Sequence, residues 1–410
     1  MNETIVTGQQ IGLLGGPLYT TYKVLGAVCL AKKMKGKAVY WLETNDADFE
    51  EINRINYLDD QGKLRNLKWN VNSQGYSVGF IEVNENLVSL LNYFFDTLSQ
   101  TEYTDRLRSI ATGAYRPGKT LAQSSKDLAS RMFGHLGIQL FDPQDREFLR
   151  ASRDLLIREA ERTPEGKQCN LFCVIDKKRV PIFRSDSGFF SRDGNRIDLN
   201  QYDLVPNVRT RNIIQDRYFN THTYVAGPSE TDYIAELDDM YAFHRVRKAR
   251  VVRRMSLILI EPIVSRILTK LGENISEILK GNKDEYRKKV MNKLSGFDHQ
   301  KVLKTSEELT RNYVSEIEKL GLDAKKVRRL LNQSIKEIVG FRRAQEKKEI
   351  AGLLNKADSL FDYLKPYGKK QERVFNLFYY MNLYGGIDFI NWLYDHYDSH
   401  LSVLEIKNEA

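Results

Sequence analysis

Apolar and polar positions change their rhythm along the chain, and each change predicts a different kind of structure. Near the N-terminus a short apolar run, Ile5 to Val6, ends at Thr7 and gives way to a glycine-rich turn containing Gly8, Gly12, Gly15 and Gly16. Pro17 is tolerated at the first position of a helix, where its missing N–H has no partner to lose, and so predicts a helix running over Leu18 to Met34. Tyr22, Leu25, Val28 and Cys29 share one side of it, and Lys32, Lys33 and Lys35 gather near its C-terminal end, where the helix dipole favours cations. Ala38 to Leu42 then form an unbroken apolar run, the mark of a strand buried on both faces. Strand, helix, strand reads as a crossover unit of a parallel sheet.

Shorter, more polar strands are expected between 54 and 82, helices over 85–100 and 119–136, and a strand at Ile138 to Phe141. After a helix to about 161, Leu171 to Ile175 and Val180 to Phe183 read as further strands. The mixed pattern stops near residue 260. No proline lies between Pro262 and Pro366, and two apolar sets, Leu309, Tyr313, Ile317, Leu320 and Val327, Leu331, Ile335, Ile338, each advance by 4, 4 and 3 residues. That spacing predicts a coiled-coil seam, and Gly321 between the sets predicts an antiparallel hairpin. The segment Gln371 to Tyr394 reads as helical and carries Phe375, Phe378, Tyr379, Tyr380 and Trp392, which predicts its return to the globular part.

Composition narrows the class. With 410 residues, 41% of them hydrophobic, the chain can bury a substantial core, and with 29% charged residues no apolar run approaches the ~20 that a membrane span needs. No leader pattern stands at the N-terminus, and three cysteines (Cys29, Cys169, Cys173) are too few for a disulfide framework, so a cytoplasmic location is expected. Lys and Arg total 63 against 54 Asp and Glu, a net charge of +9. Much of this excess lies between 245 and 350 among interleaved acids, which suggests a solvated helical face rather than a phosphate track.

Three polar turns carry candidate chemistry. Gln9 and Gln10 in the first turn offer amide donors and acceptors, although the spacing lacks the Gly-x-Gly-x-x-Gly of dinucleotide binders. Glu43, Asp46, Asp48, Glu50 and Glu51 follow the second strand. They can bind Mg²⁺, orient an amine, act as base, or merely complement a helix dipole. Tyr224 to Tyr233 repeats strand, Gly-Pro turn and helix, with Glu230 in the first turn. Gly113 to Thr120 matches the P-loop pattern in full, but Thr104 to Thr112 before it is amphipathic and helical, not a buried strand, so that match is set aside.

Six blocks carry a resemblance: TGQQIGLLGGPLYTTYK at the start, NDADFEEIN, LVPNVRTRNIIQD (204–216), YVAGPSETDYIAEL (224–237), RRMSLILIEP (253–262) and QERVFN (371–376). In order and position they resemble the bacillithiol biosynthesis cysteine-adding family, BshC. The resemblance implies a Rossmann-like, nucleotidyltransferase-like α/β core with inserted segments over 1–262, an antiparallel helical coiled coil over 263–360 used for homodimerisation, and a C-terminal helical segment, 361–410, returning to the core. It implies ligation of L-cysteine to the amine of glucosaminyl-malate, with ATP, accompanied or not by Mg²⁺, activating the carboxylate. Thr7, Gly8, Gln9 and Gln10 would shape the ligand turn and Lys23 would add charge. Asp46 and Asp48 would orient the amine or a metal, and Gly227, Pro228 and Glu230 would complete the pocket. Gly16, Tyr19, Asn207 and Tyr233, in the same blocks, are expected to line it, and Arg184, Arg209, Arg211 or Arg254 would pair with substrate carboxylates. Two positions depart from the family: Ala47 replaces the usual histidine of the acidic loop, and Arg211-Asn212 stands for Arg-Pro. Either the histidine only orients its neighbours or this chain uses another amine, and ligation of another amino acid or acceptor is the enzymatic alternative. A non-catalytic dimeric scaffold or nucleic-acid-binding relative is the reading from another class.

Overall fold

The computed structural model describes residues 3–294 and 299–406. Two compact units divide it: residues 1–259 with 370–410, and residues 260–369. The expected coiled-coil and C-terminal segments include 295–298 and 407–410, which lie outside the described residues.

The first unit opens with β1 (Thr4–Gln10), α1 (Leu18–Met34), β2 (Lys37–Glu43) and the single turn α2 (Phe49–Ile52). β1 runs three residues past Thr7, because the parallel ladder with β2 continues through Gln9 opposite Leu42 and Gln10 opposite Glu43. The two glutamines therefore stand at the carboxyl end of a strand rather than in a bend. A hairpin, β3 (Arg54–Leu58) and β4 (Leu64–Lys68), leads to α3 (Glu85–Thr97), α4 (Thr104–Ala114), α5 (Leu121–Phe133) and β5 (Gln139–Phe141). The P-loop-like stretch joins α4 to α5. Its Lys119 is paired with Asp127, Thr120 caps α5 in a reciprocal box with Gln123, and the helix α4 stands where a P-loop has its buried strand.

After α6 (Arg146–Arg162) come β6 (Gln168–Ile175), β7 (Lys178–Ser185), β8 (Gly188–Phe190), β9 (Arg196–Ile197) and β10 (Asp203–Pro206), which make an antiparallel sheet in the order β10-β6-β7-β8-β9. The chain then returns through α7 (Val208–Phe219), β11 (Thr221–Ala226), α8 (Pro228–Ala235), α9 (Asp238–His244) and β12 (Arg250–Arg253) to the main sheet.

That main sheet is parallel, in the order β12-β11-β1-β2-β5. Counting only its own strands in chain order, the arrangement is 3-2-1-4-5, the doubly wound Rossmann order, and the direction of winding reverses between β1 and β11. Ile5 and Val6 of β1 and Ala38 to Leu42 of β2 are buried, as strands covered on both faces must be. At the reversal the loops leaving β1 and β11 part to opposite faces of the sheet, which leaves a crevice beyond their carboxyl ends.

A short strand β13 (Ile258–Ile260) precedes the second unit. This unit holds α10 (Pro262–Leu271), α11 (Ile275–Lys280), α12 (Lys283–Leu294), α13 (His299–Lys319) and α14 (Ala324–Leu364). α13 and α14 form a helical hairpin turned at Gly321, whose φ of 71° suits glycine, and Asp323 caps α14. The seam follows the spacing only in part: Ile317 is buried and Val327, Leu331 and Ile335 are half-buried, as the two sets predict. Thr310, Val314, Ile317 and Val339 are buried, whereas Leu309, Tyr313, Leu320 and Ile338 face solvent. Two apolar stripes lie one residue apart on α13, and the polar Thr310 in the buried one hides it from a pattern search.

The chain finally rejoins the first unit through a 3₁₀ turn at Gln371–Arg373, α15 (Leu377–Leu383), α16 (Asp388–Asp395) and β14 (Val403–Glu405). Residues Gln371 to Asn376 are thus not α-helix but a strap that opens with one 3₁₀ turn, and the aromatic residues Phe375, Phe378, Tyr379 and Tyr380 are buried.

A cavity at the reversal of the parallel sheet

A cavity of about 350 Å³ opens at the carboxyl ends of β1 and β11. Its wall gathers residues from all six of the sequence blocks. Gln9, Gln10, Tyr19 and Lys23 come from the β1–α1 segment, and Glu43, Asp46 and Glu51 follow β2. Asn207 and Arg211 begin α7, Gly227 to Glu230 begin α8, and Arg254 and Arg373 complete it.

Lys23 ties the two sides together. On the buried face of α1, it donates to the Gly8 carbonyl at 2.8 Å and to Gln9 Oε1 at 2.9 Å, and it forms an ion pair with Glu230 across the crevice. Glu230 also accepts from the Gly227 N–H at 2.7 Å and the Tyr224 hydroxyl at 2.9 Å. Burial raises the Glu230 carboxyl, but Lys23, Arg211 and the Gly227 N–H outweigh that and hold it below the usual carboxylate range. Gly227 has no room to spare: a Cβ there would sit 3.3 Å from Glu230 Oε2. Gly8 is tighter, with a hypothetical Cβ 2.8 Å from Arg211 Nη1. Glycine at position 8 is what lets the guanidinium lie against the strand.

The acidic side is built by β2 and the loop after it. Glu43 accepts from Trp41 Nε1 at 2.9 Å and from the Asn45 N–H at 3.1 Å. Burial pushes its carboxyl up, against the pull of Arg211. Asp46 is held at 2.7 Å by Arg179, from the antiparallel sheet. The Tyr19 hydroxyl receives a hydrogen bond from Gln9 Nε2 at 3.3 Å, and burial with the nearby Glu51 raises it to about 12.

A strap closes the site from the C-terminal side. Gln371 exchanges two hydrogen bonds with the backbone of Leu259, at 2.9 and 3.0 Å. Glu372 takes a two-pronged pair from Arg254, at 2.9 and 2.8 Å, both side chains being buried, and accepts from the Ser256 hydroxyl at 3.0 Å. Asn376 donates to the carbonyls of Leu13, Leu14 and Gly16, and so holds the glycine turn that precedes α1. The RRMSLILIEP and QERVFN blocks are therefore spatial partners.

Of the residues expected from the sequence, Gly8, Gln9, Gln10, Tyr19, Lys23, Asp46, Asn207, Arg211, Gly227, Pro228, Glu230, Tyr233 and Arg254 line this cavity. Five do not. Thr7 is buried and donates to the Val225 carbonyl, which joins β1 to β11. Gly16 ends the turn gripped by Asn376. Asp48 caps α2 through the Glu51 N–H. Arg184 donates to the Glu161 and Thr163 carbonyls beside the antiparallel sheet, and Arg209 is exposed on α7. Arg254 lies in the wall, but its fork is engaged by Glu372. Sequence reasoning assigned no role to Arg179 or Arg373, and it counted Glu43 only within an acidic run. Trp41, two residues earlier on the same strand and face, was the local hint that Glu43 points inward with a partner. Among the described residues no group of three or more His, Cys, Asp or Glu side chains is arranged to hold a metal ion.

Comparison with known proteins agrees with this architecture. The chain is 26% identical to a protein named "Putative cysteine ligase BshC" from Prosthecochloris aestuarii, covering 93% of this chain and 78% of that one. It is 27% identical, with the same coverage, to a protein of the same name from Chlorobaculum tepidum. A solved glutamate tRNA ligase from Elizabethkingia meningosepticum superposes with a TM-score of 0.23 at 13% identity over 64% of this chain and 50% of that one, too loose a likeness to carry an inference. The N-terminal Rossmann-like domain model of bacillithiol biosynthesis BshC matches residues 2–168 and 159–255, and the C-terminal coiled-coil domain model matches residues 257–406. With both models matched across nearly its whole length, the chain belongs to the BshC family.

Proposed function

We propose that this protein joins the carboxyl group of L-cysteine to the amine of glucosaminyl-malate as an amide, with ATP activating the carboxyl group, in the cytoplasm. Family membership supports the reading. The structural observation that carries it is one cavity in which two half-buried acids, Glu43 and Asp46, face a cationic wall at the sheet reversal. Cys29, Cys169 and Cys173 are all free thiols, which suits a reducing compartment.

Amide formation needs a neutral amine close to an activated carbonyl, so the protein must bind an ammonium, remove its proton and hold it in line. Asp46, kept in place by Arg179, orients the amine. Glu43, whose basicity is raised by burial, takes the proton, and this assignment needs no histidine at position 47, where Ala47 is exposed. Lys23 and Glu230 lock β1 against α8 and so fix the width of the crevice. A nucleotide phosphate fits beside Gly227, where α8 begins, because Arg254 Nε is buried there without a partner. ATP bound there would supply the leaving group that a free carboxylate lacks. In the second unit, the exposed row Leu309, Tyr313, Leu320 and Ile338 supports self-association through the helical hairpin.

Purified protein incubated with cysteine, ATP and glucosaminyl-malate is expected to consume the amine and yield the thiol-bearing amide, measured by mass spectrometry. No product with any amino-sugar acceptor sinks the reading, and unchanged turnover without ATP removes the nucleotide from it.

A further inference from the structure

The cavity contains five cationic side chains, and four of them already have partners. Lys23 is shared among Gly8, Gln9 and Glu230. Arg179 is paired with Asp46, and Arg254 with Glu372. Arg211 donates to the Tyr233 hydroxyl at 3.1 Å and lies between Glu43 and Glu230, at 4.0 and 3.8 Å. Arg373 differs: it lines the same cavity, is exposed, and among the described residues has no hydrogen bond from its side chain and no ion pair. Its field reaches Tyr19 and Glu51 at the mouth without contact.

An unengaged arginine on a loose segment would mean little, because its fork would sweep the solvent. Arg373 is not on a loose segment. Gln371 is fastened to Leu259 and Glu372 to Arg254 immediately before it, and Asn376 is fastened to the glycine turn three residues after it. Fixing both flanks removes backbone freedom in advance, so a ligand that meets the fork loses less entropy on binding. A planar five-donor fork selects carboxylate oxygens, two at a time.

We propose that Arg373, presented by the strap 371–376, is the specificity-determining residue that binds a carboxylate of the acceptor substrate at the mouth of the cavity, with the acceptor amine directed inward to Glu43 and Asp46. The inference rests on the ligase reading for the identity of the acceptor, whose malate portion carries two carboxylates. Arg254 and Glu372 are positioning residues that act through the strap.

The test is titration calorimetry of the full chain, wild type against Arg373→Ala and Arg373→Lys, with glucosaminyl-malate, glucosamine and cysteine as separate probes. Losing a charge-assisted pair should weaken glucosaminyl-malate binding to Arg373→Ala roughly 10- to 150-fold. Arg373→Lys, which keeps the charge but not the fork, should fall between. Cysteine and glucosamine, which lack the acceptor carboxylates, should bind wild type and variants alike. Equal affinity of wild type and Arg373→Ala for glucosaminyl-malate overturns the assignment, as does a loss that follows cysteine or glucosamine instead. A wild type with no affinity for glucosaminyl-malate overturns both this assignment and the ligase reading. If glucosaminyl-malate binds through Arg373 but cysteine and ATP yield no amide, only the ligase reading falls.

Discussion

Replacing Glu372 by alanine tests whether the strap is held by charge. Glu372 and Arg254 are both 3% exposed in their side chains, and Arg254 donates two hydrogen bonds to the carboxylate, at 2.9 and 2.8 Å. Alanine leaves the guanidinium buried with only the Met255 carbonyl, at 2.7 Å, as acceptor, and also strands the Ser256 hydroxyl. Breaking one side of a buried pair costs about 3–5 kcal/mol, because the remaining charge is neither solvated nor matched. At about 1.6 °C per kcal/mol for a unit of this size, the thermal midpoint of the first unit should fall by roughly 5–8 °C, read by calorimetry. The same reasoning predicts that the double replacement Arg254→Met with Glu372→Met recovers most of that loss, since well-packed apolar side chains carry no charge to desolvate. If Glu372→Ala costs less than about 1 kcal/mol, or the double replacement is as unstable as the single one, the pair does not hold the strap and the reasoning fails.

Three further outcomes are expected. Because burial raises Glu43 and a base must be deprotonated to accept the amine proton, kcat/KM for ligation should fall as pH drops through a value above the ordinary carboxylate range. Glu43→Gln should abolish that limb, and an unaltered profile in the variant would remove Glu43 as the base. Gly8→Ala would put a Cβ 2.8 Å from Arg211 Nη1, so the guanidinium must move; a stability loss of about 1–3 kcal/mol with a larger fall in kcat/KM is expected from denaturant titration and initial rates. In the second unit, Leu309→Glu with Ile338→Glu adds charge to an exposed apolar row without touching the buried seam, so light scattering should show a lower mass than wild type with helical content retained.

The crossover β1-α1-β2 could be read directly from the sequence, because a strand covered on both faces must be apolar without interruption and Ala38 to Leu42 are. Glu230 in the first turn of α8 was legible for a related reason: a Gly-Pro entry followed two residues later by glutamate is local chemistry, and the reciprocal cap on Gly227 is local too. The seam of α13 was not legible, since both Leu309 and Thr310 stand on plausible faces and only the partner helix selects between them. The engagement of Arg254 was not legible, because its partner, Glu372, is 118 residues away.

Local periodicity, turn residues and the order of the blocks thus determined the elements, the helical hairpin and most of the residues that meet at the sheet reversal, because those features depend on neighbours within a few positions. Which cations remain open to a ligand was decided only by the tertiary structure. A charge is quenched by whatever lies within about 4 Å of it, and the quenching partners here, Glu230 for Lys23, Asp46 for Arg179 and Glu372 for Arg254, are brought from 118 to 207 residues away along the chain by the winding of the sheet and the return of the strap.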